Sequence, residues 1–294
     1  MLDWLFDPLK YEFMQYSLMM GAIVGVLCPA IGAFLIVQRL SLLGNVISHS
    51  VLPGLVIANF FGLNLLVGAF ISGVLSTVAI SWIRAKTRVK ADAAMSLTLV
   101  SFFAIGVALL SMLDSRLDLE GLLFGNILSV TRTDVWQAGI VTLLILLLTA
   151  LFYKELLFFT FDRNGAQAVG LPVKTIDICF VAAVALTIVV GMQTVGVILV
   201  ISMLVGPALT AYLLAKELHW TIAIGTLLGV SASVGGMYLS FYFDLPSGPA
   251  IAIVVFAQFL LALLFSPSQG LFALQSLWKD QPAPTSPPAE KDTP

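Results

Sequence analysis

Nine apolar stretches, separated by short polar segments, govern what this chain can become. A helix crossing ~30 Å of hydrocarbon needs ~20 mostly apolar residues. Runs of about that length cover 15–38, 45–62, 63–83, 93–113, 135–158, 175–192, 194–215, 220–243 and 248–266. Backbone amides in lipid must be paired within the chain, so such runs fold as helices. The pattern predicts an all-α polytopic membrane protein with about nine transmembrane helices. The second run is short and holds Pro53-Gly54, and the seventh is interrupted by Gly206-Pro207. Either is expected to be a broken or re-entrant helix lining a pathway, which makes eight spans the alternative count.

Composition agrees. Of 294 residues, 60% are hydrophobic and 10% charged, against about 45–50% and about 25% in soluble domains. A soluble core cannot hide so much apolar surface, which excludes a soluble enzyme and a disordered chain. Net charge is −2 with no basic face, which argues against nucleic acid as a partner. Cys28 and Cys179 lie in apolar runs, far apart and without metal-ligand spacing, and read as buried free thiols. The first residues lack a basic leader before a short apolar stretch, so no cleaved signal peptide is expected.

Charge orients the spans. With the N-terminus outside, the cytoplasmic loops hold Arg39, the cluster Arg84/Lys86/Arg88/Lys90, Arg163, Lys174, Lys216 and the tail lysines Lys279 and Lys291. The outer loops then hold Lys10, Arg116 and Arg132 among Asp114, Asp118, Glu120 and Asp134. Cytoplasmic enrichment in Lys and Arg is the expected bias, so the N-terminus is expected outside and the C-terminus inside. The organisation expected is an external segment 1–14, one membrane domain over 15–266, and a flexible cytoplasmic tail over 267–294 rich in Pro, Ser and Thr.

Polar residues at membrane depth carry the functional information, because each is costly when unpaired. The richest stretch is Arg39-Leu-Ser-Leu-Leu-Gly-Asn45-Val-Ile-Ser48-His49-Ser50-Val-Leu-Pro53-Gly54. Asn45 and His49 are four apart and share a helix face, with Ser48 beside them. Neutral imidazole suits Mn²⁺, Fe²⁺ and Zn²⁺, and an amide oxygen adds a weak hard ligand. The competing reading is an interhelical hydrogen-bonded pair. Asp92 could face a pathway, or it could be an acid at a helix N-terminus. Asp244 reads as a turn residue and His219 as a solvated loop histidine. The segment 161–172 is a small, Ala- and Gly-rich cytoplasmic stretch that would let another protein approach closely, or it is an ordinary polar loop. No phosphate-cradling G-x-x-x-x-G-K-[ST] loop, no H-E-x-x-H and no hydrolytic triad is present, which leaves transport as the leading class.

With these stretches in order, the sequence resembles the membrane permease subunit of the metal-ion (manganese, zinc or iron) ABC transporter family, the ABC-3 type. The resemblance rests on the 39–54 stretch, Lys90-Ala-Asp92, Leu123-Phe-Gly-Asn-Ile-Leu128, Phe161-Asp-Arg-Asn-Gly-Ala-Gln-Ala-Val-Gly-Leu-Pro172, Val195-Gly-Val-Ile-Leu-Val200, Gly206-Pro-Ala208 and Phe243-Asp-Leu-Pro-Ser-Gly-Pro-Ala250. It implies a type II-importer-like architecture in a bacterial inner (plasma) membrane. Two copies would form a homodimer around a pathway, with an ATPase subunit beneath each and ATP bound there, not here. A periplasmic or lipid-anchored metal-binding protein would dock outside, at a mouth near 114–134 and 241–248. Coupling to the ATPase would fall on 162–172, hence on Asp162, Arg163, Ala166, Ala168, Gly170 and Pro172. The family's intramembrane Asp-x-x-x-His pair falls on Asn45 and His49, with Asn replacing Asp and Asp92 as a possible recruit.

The sequence therefore predicts a permease importing a divalent transition metal, manganese first and zinc second, with no cofactor of its own. The alternative is a gradient-driven secondary transporter or channel, which predicts a carboxylate near mid-membrane and inverted repeats.

Overall fold

A computed structural model describes residues 7–113, 125 and 127–266. The expectations for the 114–124 part of the outer mouth and for the tail 267–294 lie outside these residues. Among the described residues there are helices and no strands. Nine spans among the described residues are long and apolar enough to cross a membrane.

The first span is α1 (Glu12–Val37). The second is made of two short helices, α2 (Leu42–Ser50) and α3 (Leu52–Phe60), meeting at Val51. Then come α4 (Leu65–Lys86) and α5 (Ala91–Met112). The fifth span, α6 (Arg132–Leu151), opens with a reciprocal cap in which Thr131 and Asp134 satisfy each other's backbone amides. The expected run 135–158 is not one helix: it turns at Phe152 into α7 (Tyr153–Phe161), followed by the six-residue α8 (Arg163–Ala168). The remaining spans are α9 (Val173–Val195), α10 (Val197–Leu214), α11 (Leu218–Phe243) and α12 (Ser247–Phe265). Gly196, at φ 84°, makes the sharp reversal between α9 and α10 that an L side chain would resist.

The seventh span corrects an expectation. Gly206-Pro207 does not interrupt it; α10 runs through Pro207 without a break. Pro29 likewise sits inside α1. A membrane helix tolerates a proline when its neighbours shield the carbonyl left without a donor. Pro29 removes the amide that would bond Gly25, and the Gly25 carbonyl lies so close to α11 that a β-carbon at Gly229 would overlap it.

Helix α1 is the centre of the fold, with 72% of its apolar window buried and α10 and α11 packed along it. Small residues allow this approach. A side chain at Gly32 would overlap the Leu204 carbonyl of α10, and Ser233 of α11 donates its hydroxyl to the Gly21 carbonyl at 2.8 Å. In α5 and α6 only 22% of the window is buried, and their outer faces carry exposed Val100, Leu143, Leu147 and Leu151. These faces require lipid or protein cover. Alternation of the spans puts Arg39, the 84–90 cluster, Arg163, Lys174 and Lys216 at one end of the bundle, as the charge pattern predicts.

Candidate metal pathway and coupling segment

The break in the second span follows from its residues. Pro53, in the first turn of α3, has no amide for the His49 carbonyl four residues back, so the ladder is interrupted there. Val51 still donates to the Ile47 carbonyl at 3.1 Å, so the chain bends without unravelling. Ser72 of α4 donates its hydroxyl to the Ser50 carbonyl at 2.6 Å, pinning the junction from the side. Gly54 and Gly68 bring α3 and α4 into backbone contact, since a β-carbon at either would overlap the other's carbonyl oxygen.

Asn45 and His49 lie on one face of α2, both partly buried. The His49 ring packs edge-to-face on Phe103 of α5, with centroids 5.8 Å apart and planes at 90°. Neither side chain has a hydrogen bond or ion pair among the described residues. Ser48 is turned elsewhere, buried and donating to the Gly44 carbonyl at 2.9 Å. The interhelical hydrogen-bonded pair weighed from sequence is thus not formed among the described residues.

Asp92 is not brought to them. It is exposed in the first turn of α5, eleven residues before Phe103. At 1.5 Å rise per residue that is roughly 16 Å along the helix. Among the described residues no three or more His, Cys, Asp or Glu cluster as a metal site. Gly206 abuts the Val255 side chain of α12, and Pro207 is buried, so this pair packs within the unbroken α10. Cys28 is buried, whereas Cys179 is exposed, against the expectation that both would be hidden. His219 is exposed as expected and 3.3 Å from Glu217, but it sits in the first turn of α11 and not in a loop, while Asp244 closes α11 with φ 53° as the turn residue expected.

The segment after α6 is built as a small unit. Asp162 caps α8 by accepting the Gly165 amide at 2.8 Å. Arg163 bonds Asp177 of α9 at 2.7 Å and stacks over the Phe159 ring at 5.1 Å. Gly170, at φ 89°, ends α8 while the Leu171 amide reaches back to the Ala166 carbonyl at 3.0 Å. Ala166 is fully buried against Phe159 and Val173. It supports the unit from inside and is not offered to a partner. Ala168, Val169 and Pro172 form the exposed side, Val169 at 74%.

At the opposite end, Lys10 donates to Asp7 at 2.7 Å, and this contact holds its ammonium pKa above the ordinary value.

The arrangement has known relatives. The model of the ABC 3 transport family matches residues 10–266. The chain belongs to this family. A manganese transport system membrane protein of Halalkalibacterium halodurans, MntC, is 39% identical over 284 residues, covering 96% of this chain and 97% of its own. The chelated iron transport system membrane protein YfeD of Yersinia pestis is 38% identical, covering 88% of each. The solved structure of PsaBC from Streptococcus pneumoniae in complex with Fab superposes with a TM-score of 0.83 at 36% identity, covering 93% of this chain and 99% of that one. This ABC 3 family chain is a multi-pass membrane permease subunit and not an enzyme.

Sequence reasoning missed Phe103, Ser72 and the Gly54–Gly68 contact. Gly54 was marked only as part of the Pro53-Gly54 break and Gly68 not at all, and nothing local marks Phe103 as the neighbour of His49.

Proposed function

We propose that the chain is the permease of an ATP-driven importer of divalent transition metal ions, manganese first and zinc second. The observation that carries this is the broken second span presenting Asn45 and His49 on one face with no hydrogen-bond partner among the described residues. An oxygen donor with one imidazole is a harder set than a multi-histidine or thiolate site and suits Mn²⁺, although Zn²⁺ binds such donors at least as tightly. The manganese-named relatives support the same choice. Two donors do not complete a metal shell, and a second copy of the chain facing the first would bring two more. Without a carboxylate the ion is held weakly enough to leave, which suits transit.

The N-terminus faces outside in this reading, and a metal-binding protein delivers the ion at the outer end. An ATPase subunit seats under each permease on the exposed side of Asp162–Pro172. Coupling then requires that the ATPase contact this segment differently in its two states. Arg163 and its ion pair with Asp177 tie the segment to α9, giving the motion a route into the spans.

The test is ⁵⁴Mn uptake into proteoliposomes containing this chain with its ATPase and binding protein. Uptake that needs ATP and all three components is expected. Uptake by the permease alone down a gradient would replace this reading with the secondary-transporter alternative. Ala168→Arg should abolish ATPase co-purification with monodisperse permease retained, whereas Ala166→Arg should unfold the segment itself.

A further inference from the structure

A cavity of about 560 Å³ lies between α6, α7 and α9, floored by α1 and α4. None of the residues proposed to hold the metal lines it. Its wall is apolar almost throughout, from Phe34 and Phe70 at the floor to Leu148 and Ile176 at the mouth. Leu147, Leu151 and Ile178, each next in sequence to a lining residue, are exposed and would be covered by a bilayer. Water does not fill an apolar space of this kind, and a void this large would forfeit contacts along its whole lining. Lipid chains are the apolar material at that depth.

One end of the cavity is polar. Glu155, in α7, lines it partly buried and has no hydrogen bond or ion pair among the described residues. Exposed Lys154 and Lys174 each adjoin a lining residue at the same end. A half-buried carboxylate beside apolar walls favours a cation as its partner, and the two exposed lysines, each one residue along the chain from a lining residue, offer ammonium groups to a phosphate. A phospholipid with a primary-amine headgroup carries both charges above an acyl chain.

We propose that this cavity binds one acyl chain of phosphatidylethanolamine, with Glu155 holding the headgroup ammonium and Lys154 and Lys174 its phosphate. The turn at Phe152 lies in the wall, with Leu148 and Thr149 of α6 before it and Glu155 and Leu156 of α7 after it. Leu171 and Pro172 also line it, so the lipid sits directly against the segment 162–172.

Native mass spectrometry of the full chain in detergent, with phosphatidylethanolamine or phosphatidylglycerol added, tests this. One phosphatidylethanolamine is expected to remain bound in preference to phosphatidylglycerol. In Glu155→Gln its affinity should fall roughly tenfold, the size of one lost charge-assisted hydrogen bond. The wild-type chain supplies a second readout that needs no variant. Cys179 lines the cavity and is exposed while Cys28 is buried, so phosphatidylethanolamine should slow Cys179 alkylation by N-ethylmaleimide and phosphatidylglycerol should not. Equal retention of the two lipids, unchanged alkylation, or protection of Cys179 by dimerisation in lipid-free detergent would each overturn the proposal.

Discussion

Prolines in three spans of this protein meet different fates. Pro29 and Pro207 are carried inside unbroken helices, whereas Pro53 stands just after the junction that splits the second span. Each removes one ladder hydrogen bond, so the proline itself does not explain the difference. The surroundings do. Around α1 and α10 the neighbouring backbones close in through Gly25, Gly229 and Gly32, and both helices run on unbroken. Around Pro53, Ser72 instead captures a carbonyl of the bend and Gly54 seats on Gly68, so the bend itself is stabilised. The bundle around α1 carries its prolines inside unbroken helices, and the half bearing His49 bends at one.

The sharpest way to break this comparison is to fill the contact that holds the bend. Gly54→Leu would drive a side chain into the α4 backbone, and the expected result is loss of the monodisperse peak in size-exclusion chromatography. Gly206→Ala meets only the tip of the Val255 side chain and should elute as wild type. Equal behaviour of the two would show that the bend is not specially supported.

His49→Ala comes next. Metal uptake should fall by about tenfold or more, as for loss of a metal-site group, with expression and ATPase association unchanged. Asp92→Asn should leave uptake near wild type, because Asp92 is far along α5. A matching loss in Asp92→Asn would bring that carboxylate back into the pathway. Asn45→Asp should tighten Mn²⁺ binding by adding ligand charge, measurable by calorimetry.

Pro53→Ala restores the amide facing the His49 carbonyl. Uptake should drop several-fold while the melting temperature holds or rises, and Pro207→Ala should change neither. The smallest effect is Ser72→Ala, which removes one buried hydrogen bond worth about 1 kcal/mol. It should lower thermal stability by a few degrees at most in a detergent melt.

Much of the membrane architecture was legible in the sequence, because lipid imposes a local rule: each span must be long and apolar. Nine spans, their alternation and the basic end of the bundle all follow from that rule. The site was legible in part. Asn45 and His49 announced themselves by spacing, and Asp162–Pro172 by its small residues between two spans. Which member of that segment faces outward was not legible, since Ala166 and Ala168 are alike in composition and opposite in burial. The fifth run also read as one helix, because nothing in its composition marks the turn at Phe152.

Sequence alone therefore determined that this chain lives in a membrane, how often it crosses, and which few polar residues lie at depth. Tertiary structure decided which prolines bend a helix, which glycines touch a neighbouring backbone, and that the His49 imidazole packs on Phe103 without a hydrogen-bond partner among the described residues. The physical reason is range. Desolvation cost and helical period are set by residues close in sequence, whereas the fate of a freed carbonyl depends on which other helix lies against it.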